Sequence, residues 1–186
     1  MSMLKTILLA GLVALPFAAA AQAADNDAYV PSDAATTTGF YLRGDVGASF
    51  LNWSGGNDDT AWTAGGGVGY QFNDNFRTDL TVDWSGGYDI APGATLDTTV
   101  VLGNAYFDFK NNSMFTPYVG AGLGYGWASG PGYVDTSGMA YSLAAGVSID
   151  MTQNLALDVG YRFRDIVVSS DDPMEHQVTA GIRFKF

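Results

Sequence analysis

The stretch from Phe76 to Trp84, FRTDLTVDW, decides the fold. Phe76, Thr78, Leu80, Val82 and Trp84 alternate without a break with Arg77, Asp79, Thr81 and Asp83. A period of two is the mark of a β-strand with two unlike faces. Here every charge falls on one parity and every large apolar side chain on the other. The rest of the chain shows whether this is a local accident or a rule.

It is a rule. Toward the N-terminus, Trp62–Phe72 sets Trp62, Ala64, Val68, Tyr70 and Phe72 against Thr63, Gln71 and glycines, and Phe40–Phe50 sets Leu42, Val46, Ala48 and Phe50 against Arg43, Asp45 and Ser49. Toward the C-terminus the same alternation marks Tyr118–Trp127, Met139–Asp150, Leu155–Arg164 and Gln177–Phe186. A further strand lies within Leu96–Phe109, where Phe107 and Phe109 oppose Tyr106 and Asp108, but its first half, LDTTVVL, is ambiguous in register. That makes eight strands. Short turns at 73–75, 110–116 and 151–154 alternate with connections of about ten residues, a pattern typical of a transmembrane β-barrel. The predicted fold class is all-β: an eight-stranded antiparallel up-and-down transmembrane β-barrel with both termini at one end.

The N-terminus and composition agree with this reading. Met1 to Lys5 is basic, Ile7 to Ala21 is apolar but broken by Pro16, and Ala21-Gln22-Ala23 has small residues where a leader peptidase cuts. Residues 1–23 are therefore expected to be a cleaved signal peptide, and residues 24–38 a flexible periplasmic lead-in to a barrel over 39–186. Cys is absent, which excludes a disulfide framework. Eight Lys and Arg against 19 Asp and Glu exclude nucleic acid as a partner. Beyond residue 23 no segment is long and apolar enough for a spanning helix, so any membrane passage must use strands.

Charge identifies the faces. Arg43, Arg77, Arg162, Arg164, Arg183 and Lys185 share the polar parity of their strands, and Lys110 lies in a turn. On the lipid face each would cost about 2–4 kcal/mol near the midplane. Asp45, Asp79, Asp83, Asp108, Asp150 and Asp158 have the same inward parity. Eight strands enclose little more than their own side chains, so the lumen is predicted to be an ion-pair plug rather than a channel. Inward glycines such as Gly65, Gly67, Gly69, Gly120, Gly122, Gly124 and Gly126 are expected to leave room for the arginines. Trp62, Trp84 and Trp127, with Trp53, then mark one membrane interface. Phe72, Phe76, Phe107, Phe109, Phe184 and Phe186 mark the other.

GFYLRGDVG (39–47), PYVGAGLGYG (117–126) and the terminal AGIRFKF together resemble the small outer-membrane β-barrels of Gram-negative bacteria. Within that group the chain is most similar to alphaproteobacterial surface-antigen, porin-family barrels with the OmpA-like membrane-domain architecture. The resemblance implies residence in the cell outer membrane and contact with its lipid and lipopolysaccharide. It implies delivery by periplasmic chaperones and recognition of Phe184 and Phe186 by the outer-membrane assembly machinery. The peptidoglycan-binding domain of full OmpA proteins has no counterpart in this sequence, so anchoring by that route is not implied.

Motifs with other chemistry are weak. AGGGVGY and GAGLGYG lack the Lys-Ser/Thr and helix of a phosphate loop. His176, the single histidine, sits in DDPMEH. With Glu175 and a hydroxyl from Ser169, Ser170 or Thr179 it could serve a lipid A-modifying enzyme, and with Asp171, Asp172 and Glu175 a metal. Neither is expected: no catalytic residue, metal or cofactor is assigned. Asp58, Asp59, Asp89, Asp97, Asp135, Asp165, Asp171, Asp172 and Glu175 are read as an acidic extracellular surface, suited to simple solubility or to Ca²⁺ or Mg²⁺ bridging to lipopolysaccharide phosphates. Asp97 falls on the lipid parity, tolerable only at the rim or beside a bulge. The expected role is structural, in envelope integrity and lipopolysaccharide packing. Enzyme, surface adhesin and small-solute pore are the alternatives.

Overall fold

A computed structural model describes residues 38–52, 59–130, 136–167 and 174–186, with residues 90 and 91 as backbone only. The expected signal peptide and most of the lead-in fall outside the described residues. So do Trp53, Asp58, Asp135, Ser169, Ser170, Asp171 and Asp172.

The strands are β1 (Gly39–Asn52), β2 (Asp59–Gln71), β3 (Phe76–Ala91), β4 (Ala94–Asp108), β5 (Phe115–Ser129), β6 (Thr136–Asp150), β7 (Leu155–Val167) and β8 (Met174–Lys185). Each pairs antiparallel with the next, and β8 returns to β1, so the sheet is a closed barrel. The closing ladder runs from Tyr41 opposite Lys185 to Asn52 opposite Met174, and closure leaves no edge for pairing with other chains.

The alternation expected from the sequence sets the two faces. Leu42, Val46, Leu80, Val82, Leu123, Leu143 and Ile182 are exposed on the outside, while Arg77, Asp79, Thr81 and Asp83 are buried inside. In water such an apolar exterior would drive aggregation; in a bilayer it is the solvent contact. The eight steps from Phe76 to Trp84, at about 3.3 Å each and tilted by about 40°, rise about 20 Å, close to the height of the apolar band of outer-membrane barrels. The lower rim is aromatic, with Phe40 against Tyr70 (4.9 Å between centroids), Tyr70 against Phe72 (4.9 Å) and Phe72 against Phe76 (5.6 Å). Phe107 and Phe109 continue it, as do Phe184 and Phe186.

Two expectations need correction at the other end. The β3–β4 connection is not a ten-residue loop. Both strands run on as a ribbon to a tight turn at Pro92-Gly93, with Ala91 opposite Ala94. Pro fixes φ at the first central position and Gly93 takes φ 79° at the second, the residue pair of a type II turn. The Gly86-Gly87 pair, read as loop, is a β-bulge where register shifts between Gly86 and Tyr88, and Gly87 takes φ 88°, a value few residues with a Cβ adopt. The Asp97 side chain accepts a 2.8 Å hydrogen bond from the Gly87 N–H at this bulge, which explains a carboxylate on the outward parity.

The ambiguous half of β4 also resolves. Leu96, Thr98, Val100 and Leu102 are buried in the lumen, and Thr99 and Val101 take the other parity. No alternation in hydropathy was available to reveal this, because polar and apolar residues fall on both faces of β4 here, Thr98 inside and Asp97 and Thr99 outside.

Candidate functional site: the charged lumen

Three layers of polar contacts fill the interior. In the layer nearest the short turns Arg77 Nε donates to Asp108 at 3.0 Å, and its guanidinium lies 4.1 Å from the Tyr106 ring centroid and 5.1 Å from that of Tyr118. Arg183 donates to Ser148 (2.7 Å) and Asp158 (3.3 Å). Lys110 pairs with Asp150 at 3.0 Å by the turn, and Lys185 sits partly buried at the inward parity of β8.

In the central layer Arg43 donates to Asp45 (2.9 Å), Asp79 (3.2 Å) and the Tyr106 hydroxyl (2.9 Å). Asp79 also accepts from Tyr41 (3.0 Å) and Asn104 (2.8 Å). Arg162 donates to Asp83 at 2.7 Å and lies 3.8 Å from Asp45. That bond joins β7 to β3 on opposite walls, so it braces the barrel across its diameter.

The layer farthest from the short turns centres on Arg164 and Glu175, an ion pair with side chains 0% and 1% exposed. Glu175 also accepts from Thr98 (2.6 Å) and Gln177 (2.9 Å). Ser85, on the far wall, accepts from Arg164 (3.0 Å) and Gln177 (3.1 Å). Above lies an apolar cap of Leu51, Ala61, Tyr88, Leu96 and Ala128, tied down by the Tyr88 hydroxyl donating to Ser49 at 2.6 Å. A second apolar patch, Val100, Leu102, Ala140 and Ile166, lines the wall beside it.

Sequence reasoning missed part of this. The lumen is not filled by charge alone: Tyr41, Tyr88, Tyr106 and Tyr118 are buried in it. Gly65, Gly69, Gly120 and Gly122 make room for these rings and for neighbouring polar groups, Gly126 for Ile166 and Val100, and Gly67 and Gly124 lie close against the next strand's backbone, none of them against a long arginine side chain. A Cβ on Gly69 would meet the Tyr41 ring, and one on Gly120 would meet the Tyr106 ring, 2.7 Å from Cε1. Gly120→Val is therefore expected to destabilise the barrel by about 1–3 kcal/mol through overpacking, read as a lower urea midpoint in lipid vesicles.

Three members of the expected acidic surface lie elsewhere. Glu175 is inside the barrel. Asp165 is part of β7 on the outward parity, buried beside Tyr141, whose hydroxyl donates to it at 2.8 Å. Asp97 belongs to the bulge. Asp59 and Asp89 do lie at the end opposite the short turns, where Asp59 accepts from the Asp89 N–H at 2.5 Å.

His176 alternates with Glu175, and so faces outward. Its Nδ1 is 2.5 Å from the Tyr161 hydroxyl, and its ring centroid is 5.3 Å from that of Phe163. Glu175 and Thr179 are on the inner face of the wall, so the His–acid–hydroxyl constellation and the metal set built on Glu175 and His176 do not form. Among the described residues no group of three His, Cys, Asp or Glu is placed to hold a metal ion.

The membrane-facing exterior and polar interior have clear relatives. The outer membrane protein beta-barrel domain family matches residues 9–186. The chain belongs to that family. It resides in the outer membrane, with its short turns on the periplasmic side. An uncharacterised protein of Brucella abortus is 28% identical over 77% of this chain and 75% of its own length. A candidate adhesin of Rickettsia bellii is 33% identical over 46% of each chain. The crystal structure of Neisserial surface protein A matches with a TM-score of 0.70 and 26% identity, covering 79% of this chain and 97% of that one.

Proposed function

We propose that this barrel is a structural component of the outer membrane, with a plugged lumen, that contributes to envelope integrity and lipopolysaccharide packing. The observation that carries this reading is the Arg162–Asp83 bond across the barrel, within layers in which buried charges have partners. Side chains tied wall to wall leave no continuous water path, and they stiffen the cylinder that lipid packs against. Residues 1–23 serve in this account as a removed export signal. Phe184 and Phe186 serve as the segment read by the assembly machinery after chaperone delivery. Phe186 is 71% exposed at the rim, and its N–H donates to Phe40 O at 3.0 Å across the β8–β1 seam.

Deleting the gene is expected to raise sensitivity to large hydrophobic antibiotics and to detergent with chelator, with lipid A unchanged by mass spectrometry. An altered acyl or phosphate pattern in lipid A would instead support the enzyme reading. Removal of Phe186 alone is expected to cut the amount of heat-modifiable barrel in outer-membrane fractions several-fold, while leaving refolding in detergent intact.

The similarity to a candidate adhesin favours a second reading, attachment through the extracellular end. The β3–β4 ribbon, which runs past Trp84 to Pro92, is the surface on which it would rest. Whole bacteria of a non-adherent strain displaying this protein, scored for binding to cultured cells, separate the two readings.

A further inference from the structure

We infer that the barrel is two copies of one four-stranded unit, β1–β4 and β5–β8, and that the surface by which each copy meets the other is the same surface. This holds whether or not the barrel has the envelope role proposed above. An internal repeat is read from residues that recur at constant spacing. Tyr41 and Gly47 of β1 recur in β5 as Tyr118 and Gly124, and Val101 and Phe107 of β4 recur at the same spacing in β8 as Val178 and Phe184. At a spacing two residues longer, Gly67 and Val68 of β2 recur in β6 as Gly146 and Val147, and Asp79 of β3 recurs in β7 as Asp158.

The strand pairing follows the repeat. Gly67 opposite Thr81 corresponds to Gly146 opposite Gly160, and Leu80 opposite Gly103 to Val159 opposite Ala180. The two seams between the units agree as well: β4 meets β5 with Gly103 opposite Leu123, and β8 meets β1 with Ala180 opposite Val46. At these seams a Cβ on Gly124 would run into Val101 O and one on Gly47 into Val178 O, so counterpart glycines press on counterpart carbonyls. The turn bonds repeat too. Asn75 Nδ2 donates to Asp108 O at 2.8 Å and Asn154 Nδ2 to Lys185 O at 2.9 Å. In return the N–H groups of Asp108 and Lys185 donate to Asn75 O and Asn154 O at 2.8 and 2.7 Å. The β5–β6 pairing departs by two residues from that of β1–β2, an even slip that keeps every side chain on its own face.

Where two copies of one unit meet about a two-fold axis, residues at the axis touch their own counterparts. Here the axis runs down the lumen, and the bonds across it join counterparts. Arg162 donates to Asp83 at 2.7 Å, Arg164 to Ser85 at 3.0 Å and Thr98 to Glu175 at 2.6 Å. In each case the two residues hold one position in the two units. Identical copies would set aspartate on aspartate or arginine on arginine there, so these bonds mark where the copies have become complementary. The partner this surface fits is a second unit of its own kind.

Counterpart positions face the lumen alike from opposite walls, so their residues are exchangeable. Urea titration of the full barrel in lipid vesicles is expected to show lower midpoints for Asp83→Arg and for Arg162→Asp, each of which buries two like charges together. Combining the two is expected to return most of that loss. Arg77 and Asp108 form a buried pair at 3.0 Å, but their counterparts are Ala156 and Lys185. Exchanging that pair, Arg77→Asp with Asp108→Arg, is expected to recover little. Asn75→Ala and Asn154→Ala each remove one of the repeated turn bonds and keep the heat-dependent gel shift of a folded barrel. They are expected to lower the midpoint equally. A double exchange at 83 and 162 that stays as weak as the single variants, or does not fold, would overturn the proposal. So would equal recovery in the Arg77 and Asp108 exchange, or unequal falls for the two asparagines. A deletion strain with normal permeability would sink the envelope role and leave the repeat standing.

Discussion

Glu175→Ala is expected to cost the barrel about 3–5 kcal/mol of folding free energy, the largest effect of any single luminal change. The substitution leaves Arg164 fully buried with its carboxylate gone, and removes the acceptor for Thr98 and Gln177. In the proposed plug, the apolar cap of Leu51, Ala61, Tyr88, Leu96 and Ala128 leaves no replacement hydration for it. The loss comes from the stranded charge, not from any large net value of the pair. Replacing both partners, Glu175→Leu with Arg164→Met, is therefore expected to recover most of the stability. Urea titration in lipid vesicles, followed by tryptophan fluorescence and gel mobility, measures both. Equal losses in the single and the double replacement would show that the pair is not the unit of stability.

Leu80→Arg is expected to cost about 2–4 kcal/mol, because Leu80 is exposed on the outward face of β3 midway between Phe76 and Trp84 and its replacement puts an arginine at the bilayer midplane. Phe76→Arg, on the same face but at the periplasmic rim, is expected to cost only about 0–1 kcal/mol, since a rim arginine reaches the headgroups. The difference between the two positions isolates depth in the membrane from loss of apolar contact. The same urea titration provides the values. A flat profile from Phe76 to Leu80 would mean that this face does not meet lipid.

These two residues also show what was legible in the sequence. Leu80 lies in a stretch where lumen and lipid ask for opposite chemistry, so polarity alternates and parity reads directly. The same holds for Arg43, Arg77, Arg162, Arg164 and Arg183, whose inward placement followed from strand parity alone. Where the two sides do not differ, the signal fades. Leu96, Val100 and Leu102 line the apolar patch and cap, so in LDTTVVL polar and apolar residues fall on both parities and its register could not be read. Gly86 and Gly87 read as loop because glycine is common to loops and bulges, and only backbone pairing distinguishes the two.

Glu175 is a different case. DDPMEH reads as a solvated acidic loop because of its aspartates and Pro173, yet Glu175 shares parity with Gln177, Thr179 and Arg183. Extending β8 by one pair of residues would have placed it inside and His176 outside. Tyr41, Tyr106 and Tyr118 were visible at the inward parity as well, while Tyr88 turns inward only through the Gly86-Gly87 bulge, and parity does not say that Gly69 and Gly120 are the spaces the Tyr41 and Tyr106 rings occupy.

Conductance most directly tests the proposed closure of the lumen by paired side chains. Purified protein in planar bilayers, at moderate salt and symmetric voltages, is expected to give no sustained open level. A steady ohmic channel from the folded wild-type barrel would contradict the account, since it would require a water path through the Arg43, Arg162 and Arg164 layers.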